Sequence, residues 1–172
     1  MAWTPRYKVL SLREIANNLV TYWKANQEEV FEWAGDADLP LIKEFSDSLN
    51  EDNTGFPAVA LQNDVDAQDF ITKGTEINAG YQPSFSLMVV GPDPNECVRQ
   101  ARLYVLSLSS MMVNCPPATL LANTGADLKE AVVEDITASF LEMMINEDKT
   151  DYLQRVDIQA TIRVKGSIFT EG

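Results

Sequence analysis

The pattern that decides the fold lies at residues 156–165, which read VDIQATIRVK. Every second residue from Val156 to Val164 is apolar, and the residues between them, from Asp157 to Lys165, are polar. A period of two over such a length predicts a β-strand with one buried face and one face in water. At about 3.3 Å per residue the strand spans roughly 33 Å, so other elements must pair with it and cover its apolar face.

The segment before this strand fits two periods. Residues 136–145 alternate like a strand, but apolar residues from Val132 to Met143 also fit the spacing of a helix. The polar turn at 146–151 favours the strand, because two strands joined by a short polar turn form a hairpin. Residues 127–135 are interpreted as a turn of helix.

The first half of the chain predicts one long helix and two strands. Residues 11–14, SLRE, match the pattern of a capping box, and apolar residues then recur at helical spacing as far as Trp33. Gly35 ends this helix, and a short second helix is expected at residues 39–49. Strands are expected at 56–61 and 85–90, with the polar stretch 63–80 as a hairpin or loop between them.

A second long helix begins at residues 93–96, DPNE, which place an Asp cap before a proline at the first helical position. Apolar residues follow three or four apart as far as Cys115, so this helix should lie across the sheet. The predicted order is α-β-β-α-β-β. Two main helices packed on a mostly antiparallel sheet make an α+β fold, and 172 residues make a single domain.

The composition disfavours several classes of function. A net charge of −13 disfavours tight binding to DNA or to an anionic membrane. The chain has no histidine, which removes the commonest general base, and no phosphate-binding glycine motif. Counted from Asp64, the glycine and glutamate positions of a calcium loop hold Asp69 and Thr75, so no metal is expected.

No cofactor is expected either, and no secretory signal or membrane-spanning run is evident. Cys97 and Cys115, the two cysteines, are expected to be buried thiols.

Four segments, taken in order, resemble the tail terminator (tail completion) proteins of long-tailed bacteriophages, the lambda-like minor tail protein family. They are Phe56–Ala60 after the first helix, Phe85–Val90 running into the helix from Pro94, Leu120 with Ile136–Ser139, and Asp157–Val164. The likeness covers roughly residues 12–165 and rests on order and spacing. By this likeness, 1–172 is one tail-terminator-like domain, with 1–10 as an N-terminal arm and 24–54 as an extra helical and loop insertion.

The resemblance implies a structural virion protein, not an enzyme, assembled in the host cytoplasm. Members form a ring, typically a hexamer, on the last ring of the tail tube. There they stop tube growth and present the other face to the head-side connector or stopper. DNA passes through the ring without specific binding. The acidic balance suits such a channel, because like charges oppose binding to phosphate.

Within that reading, Asp64, Asp66 and Asp69 are candidates for the pore wall. Arg155 and Arg163, on the polar face of the last strand, are candidates for the subunit interface. Solvated side chains remain the alternative for both arginines.

Three other functions stay open at the level of the sequence. A head–tail adaptor or stopper would bind the head connector instead of the tube. A carboxylate enzyme would need a divalent metal. A small-molecule binding module would stay a monomer or dimer.

Overall fold

A computed structural model describes residues 11–46, 55–66, 71–73, 76–124 and 127–167. Its helices are α1 (Arg13–Trp33), α2 (Pro94–Asn114) and the single turn α3 (Pro117–Leu120). Its strands are β1 (Glu44–Ser46), β2 (Ala58–Asp66), β3 (Ile71–Lys73), β4 (Glu76–Gly91), β5 (Asp127–Phe140), β6 (Met144–Ile145) and β7 (Tyr152–Ser167).

The described strands form one sheet in the order β1-β2-β4-β7-β5. The short strand β3 pairs with β4, and β6 pairs with β7. The β1–β2 pair is parallel, whereas all other described pairs are antiparallel. Helices packed on a mostly antiparallel sheet confirm the α+β class.

Strand β7 lies inside the sheet and pairs on both sides. It runs alongside β4 from Gly91–Tyr152 to Glu76–Ser167, and alongside β5 on its other edge. Its alternate apolar side chains, Val156, Ile158, Ala160, Ile162 and Val164, are fully buried. The predicted strand and its buried face are therefore confirmed.

Helices α1 and α2 cover that face of the sheet. Trp23 of α1 meets Phe85 of β4 edge to face, with ring centroids 4.7 Å apart. Phe31 of α1 meets Tyr104 of α2 in the same manner at 5.4 Å. Such aromatic pairs contribute about 0.5–1.5 kcal/mol beyond their buried area, so they fix how the two helices lie on the sheet.

The start of α2 is as the sequence predicts. The Asp93 carboxylate accepts hydrogen bonds from the backbone N–H groups of Asn95 and Glu96, at 3.0 and 3.4 Å. Pro94 occupies the first helical position, where a missing N–H costs nothing. The closing hairpin is also confirmed, since β5 and β6 precede the turn at 146–151 and β7 follows it.

The short helix expected at residues 39–49 is wrong for residues 39–46, and residues 47–49 lie outside the described part. Residues 44–46 form β1, parallel to β2. The Gln27 side chain takes both backbone groups of Ile42, accepting from its N–H at 2.8 Å and donating to its C=O at 3.3 Å. This pairing holds the segment extended beneath α1.

The turn of helix expected at residues 127–135 is also wrong, because these residues belong to β5. Their backbone pairs with β7, with register shifts near Leu128 and Val133. Long-range pairing thus overrides the local pattern, and the shifts interrupt the alternation that would have indicated a strand. The polar stretch 63–80 likewise contains the end of β2, all of β3 and the start of β4.

Ile158→Ala should test the two-faced character of β7. Removing a fully buried side chain leaves a cavity, so we expect a loss of about 2–5 kcal/mol in the free energy of unfolding. The matched control is Gln159→Ala, one residue along on the exposed face, which should change stability by no more than about 0.5 kcal/mol. Urea denaturation compares the two variants, and equal losses would contradict the assignment of faces.

Candidate assembly site

The described sheet ends on one side at a long uncovered strand. Strand β5 pairs with β7 along one edge, and no described strand pairs with its other edge. Its backbone N–H and C=O groups on that edge can therefore pair with another chain. Val132 and Phe140 of this strand are large apolar residues exposed to solvent.

Beyond β5 the same edge carries a cluster of exposed apolar side chains, which we call the hairpin patch. It consists of Phe140, Leu141, Met144 and Ile145, with Met144 63% exposed. The backbone stays attached to β7, because Leu141 N–H donates to the Arg155 carbonyl at 3.0 Å and β6 then pairs with Leu153 and Tyr152. Exposed apolar clusters of this kind mark interaction sites in soluble proteins.

The turn after the hairpin patch is held by one side chain. The Asn146 carboxamide oxygen accepts from the N–H groups of Thr150 and Asp151, at 2.9 and 3.1 Å. Lys149 adopts a positive φ of 54° at the tip. The turn also carries the exposed acids Glu147 and Asp148 and the exposed cation of Lys149, and with Asp151 its net charge is negative.

The candidate interface arginines both have acidic partners in their own chain. Arg155 Nε lies 3.0 Å from an Asp157 carboxylate oxygen on the same face of β7. Arg163 Nε lies 3.2 Å from Glu134 of the neighbouring β5. Both pairs are partly exposed, so each contributes at most about 1 kcal/mol to stability. Their place in a subunit interface stays a prediction.

Arg163 lies across the sheet from Gly80 of β4. A Cβ atom at Gly80 would lie 3.7 Å from one terminal nitrogen of the guanidinium group, which is an ordinary contact distance. A methyl group at this position would therefore touch the arginine without displacing it.

The three candidate pore acids are only partly described. The Asp64 carboxylate accepts from the Tyr81 hydroxyl at 2.9 Å and lies 3.5 Å from Arg13 of α1. Asp66 is the last residue of β2 and pairs with Tyr81. Asp69 lies outside the described residues. Their exposure to a pore stays a prediction, and Asp64 already has a counter-charge nearby.

A groove of about 480 Å3 lies at the end of the sheet formed by β4, β5 and β7. Its charged lining residues are Glu76, Glu130, Lys129 and Lys165. Two carboxylates and two ammonium groups balance each other, so the groove has no marked preference for a ligand of either sign.

In the part of the chain that the structure describes, no three His, Cys, Asp or Glu side chains are grouped to hold a metal ion. None of the described helices has the length and apolar character of a membrane span.

The two cysteines are buried free thiols, as expected. Burial raises the pKa of Cys115 to about 11. Burial also raises the pKa of Cys97, and the nearby charges of Asp93, Glu96 and Asp151 add to the effect. Since the thiolate is the reactive form, both side chains are poor nucleophiles in the folded protein.

The sequence did not reveal the hairpin patch as a surface. Its residues were interpreted as part of a strand, and nothing in a strand pattern says that one edge lacks a partner. One signal in the sequence does point to the patch. Apolar residues stand next to one another on both sides of Glu142, whereas a strand with one buried face would alternate apolar and polar residues.

Comparison with models of protein families finds no match. Comparison with curated proteins also finds none. Among solved structures, the fold is similar to a chain of the "Virion of native gene transfer agent (GTA) particle", with a TM-score of 0.49. The two chains are 13% identical over 88% of this chain and 98% of that chain, which is too little to carry residue roles across.

Thiol reagents should report the burial of the cysteines. We expect neither Cys97 nor Cys115 to react with a disulfide reagent at pH 8 in the folded protein, because few thiolates form below the raised pKa values. Both should react in denaturant. Rapid reaction of either thiol before unfolding would show that its surroundings are open to water.

Proposed function

We propose that this chain is a ring-forming structural protein of a phage-like virion, acting as a tail terminator in the tail or neck. The sequence resemblance suggests the role, and the α+β fold with its closing hairpin agrees with it. The observation that carries the proposal is the edge formed by β5 and β6. A strand of 14 residues with exposed apolar side chains invites pairing, and soluble monomers normally cover such an edge.

Ring formation would cover this edge without any additional strand or helix of the chain itself. When one surface of a chain binds a different surface of the next copy, the contacts close into a ring if the rotation allows it. Every copy then hides its exposed edge in the same way.

The proposed partners are further copies of the chain, typically six to a ring, the major tail tube protein and the head-side connector or stopper. In this role the protein assembles in the host cytoplasm and remains in the virion. DNA passes through the ring without specific binding, and no membrane is involved. A net charge of −13 supports the passage of DNA through the ring in preference to DNA binding, because an acidic channel repels phosphate.

Particle mass tests this function. We expect the purified chain, alone or with tubes of its virus's major tail protein, to form particles of about six times the 19.1 kDa chain mass. Mass photometry gives the mass, and negative-stain images show whether the particles are rings at tube ends. A chain that stays monomeric beside tubes would contradict the proposal. Binding to the head connector but not to tubes would identify an adaptor or stopper instead.

The pore acids can be tested on the assembled ring. Changing Asp64, Asp66 and Asp69 to Asn should increase retention of linear double-stranded DNA at low ionic strength, since repulsion falls when wall charges are removed. The increase should disappear in salt, which screens charges beyond about 8–10 Å.

The matched control removes three charges from exposed positions of α1, by Glu28→Gln, Glu29→Gln and Glu32→Gln. If both triple variants retain DNA equally, net charge explains the effect and the pore assignment is wrong. No increase in the Asn variant would also refute it.

A further inference from the structure

Helix α2 presents a second exposed surface, on the side away from the sheet. Its buried residues, among them Cys97, Ala101, Tyr104 and Leu108, face the sheet. The outer side carries exposed residues three, four or seven apart, which we call the helix stripe: Asn95, Arg99, Arg102, Leu106 and Val113. Large apolar residues on a solvent-facing stripe are unusual, and Val113 is 64% exposed.

The helix stripe carries both cations of α2, and one of them, Arg102, is not neutralised by a described residue. After Glu96, α2 contains no acidic residue, and its charges are those of Arg99 and Arg102. Arg99 is held by Asp36 at 2.9 Å and by Glu96 at 2.6 Å. Arg102 forms no ion pair with any described residue and is exposed. The stripe therefore has one uncompensated cation, Arg102, followed by an apolar half.

The hairpin patch and its turn have the complementary arrangement. An apolar half, Phe140 to Ile145, is followed by the acidic pair Glu147 and Asp148. The apolar halves also have comparable lengths. The seven steps of helix from Leu106 to Val113 span about 10.5 Å at 1.5 Å per residue. The segment from Phe140 to Ile145 lies opposite Val156 to Tyr152, four steps of strand that span about 13 Å.

The two surfaces cannot meet within one molecule. The hairpin belongs to the sheet, and the α2 residues that pack on that sheet lie opposite the helix stripe. The Cys97 thiol, on the inner side of α2, lies 3.8 Å from the Tyr152 carbonyl at the start of β7. A contact between patch and stripe must therefore join two molecules.

We propose that the hairpin patch of one copy docks on the helix stripe of the next copy. The acidic turn lies on Arg102, and the apolar residues of the patch lie on Leu106 and Val113. The contact joins two different surfaces, so repetition produces a ring or a filament. The proposal rests on the assembly function above and names the surfaces that perform it.

A charge exchange tests this contact. One variant carries Arg102→Glu, and the other carries Glu147→Lys with Asp148→Lys. In the described part of the chain, neither turn carboxylate has a hydrogen-bond partner, so both variants should fold. Each variant alone brings like charges together, which should weaken assembly about tenfold or more. An equimolar mixture should regain assembly, because acidic stripe then meets basic turn and basic stripe meets acidic turn.

Matched controls place the same charge changes on the exposed face of α1, as Lys24→Glu and as Glu28→Lys with Glu29→Lys. These variants should assemble like the unaltered chain. If either test variant assembles normally, or if the mixture stays dissociated, the contact is wrong while the ring function stands. If the unaltered chain never assembles, even beside tail tubes, the proposed function fails and the contact fails with it.

Crosslinking tests the apolar half of the same contact. Leu106→Cys and Met144→Cys variants are mixed and oxidised, and the buried Cys97 and Cys115 should not compete. A disulfide-linked pair that requires both variants is the expected result. Its absence under conditions in which the unaltered chain forms rings would overturn the proposed docking.

Discussion

The fold depends on strand β7, which has one face buried under the helices and the other face in water. Its backbone is paired on both sides, with β4 and with β5. Its apolar face is sealed under α1 and α2, while Gln159 and Lys165 on the other face remain in water. A shift of one residue would exchange these faces, so burial fixes the register of the whole sheet. Beyond β7 lies β5, whose backbone pairs on one side alone among the described strands.

Much of this arrangement could be predicted from local patterns. The alternation in β7, the Asp93 cap of α2 and the helical stripe of α1 each have a short-range physical cause, and each appears where it was expected. The short strand β1 and the first half of β5 could not be predicted in this way. Ile42 is held extended by Gln27, 15 positions earlier in the chain, and β5 is a strand because β7 pairs with it. Contacts between distant residues are not visible in a local pattern.

The assembly surfaces were harder to predict than the fold. Whether Phe140 and Met144 are buried or exposed depends on where the helices end over the sheet, and the sequence does not show this. The alternation of β7 places both candidate arginines on its polar face, but it does not show that each has an acidic partner in its own chain. What distinguishes the hairpin patch and the helix stripe is the combination of exposure with opposite charge. That combination depends on which faces of α2 and of the sheet are buried, and a local sequence pattern does not show this.

Hydrogen exchange during assembly tests the central claim, that copies join through the hairpin patch at the end of β5 and at β6. In the isolated chain, amides of β7 should be protected and the solvent-facing amides of residues 140–145 should exchange rapidly. On assembly, the account predicts that residues 140–145 and the outer face of α2 become protected, while β7 stays as it was. Assembly that leaves exchange at residues 140–145 unchanged would contradict the account.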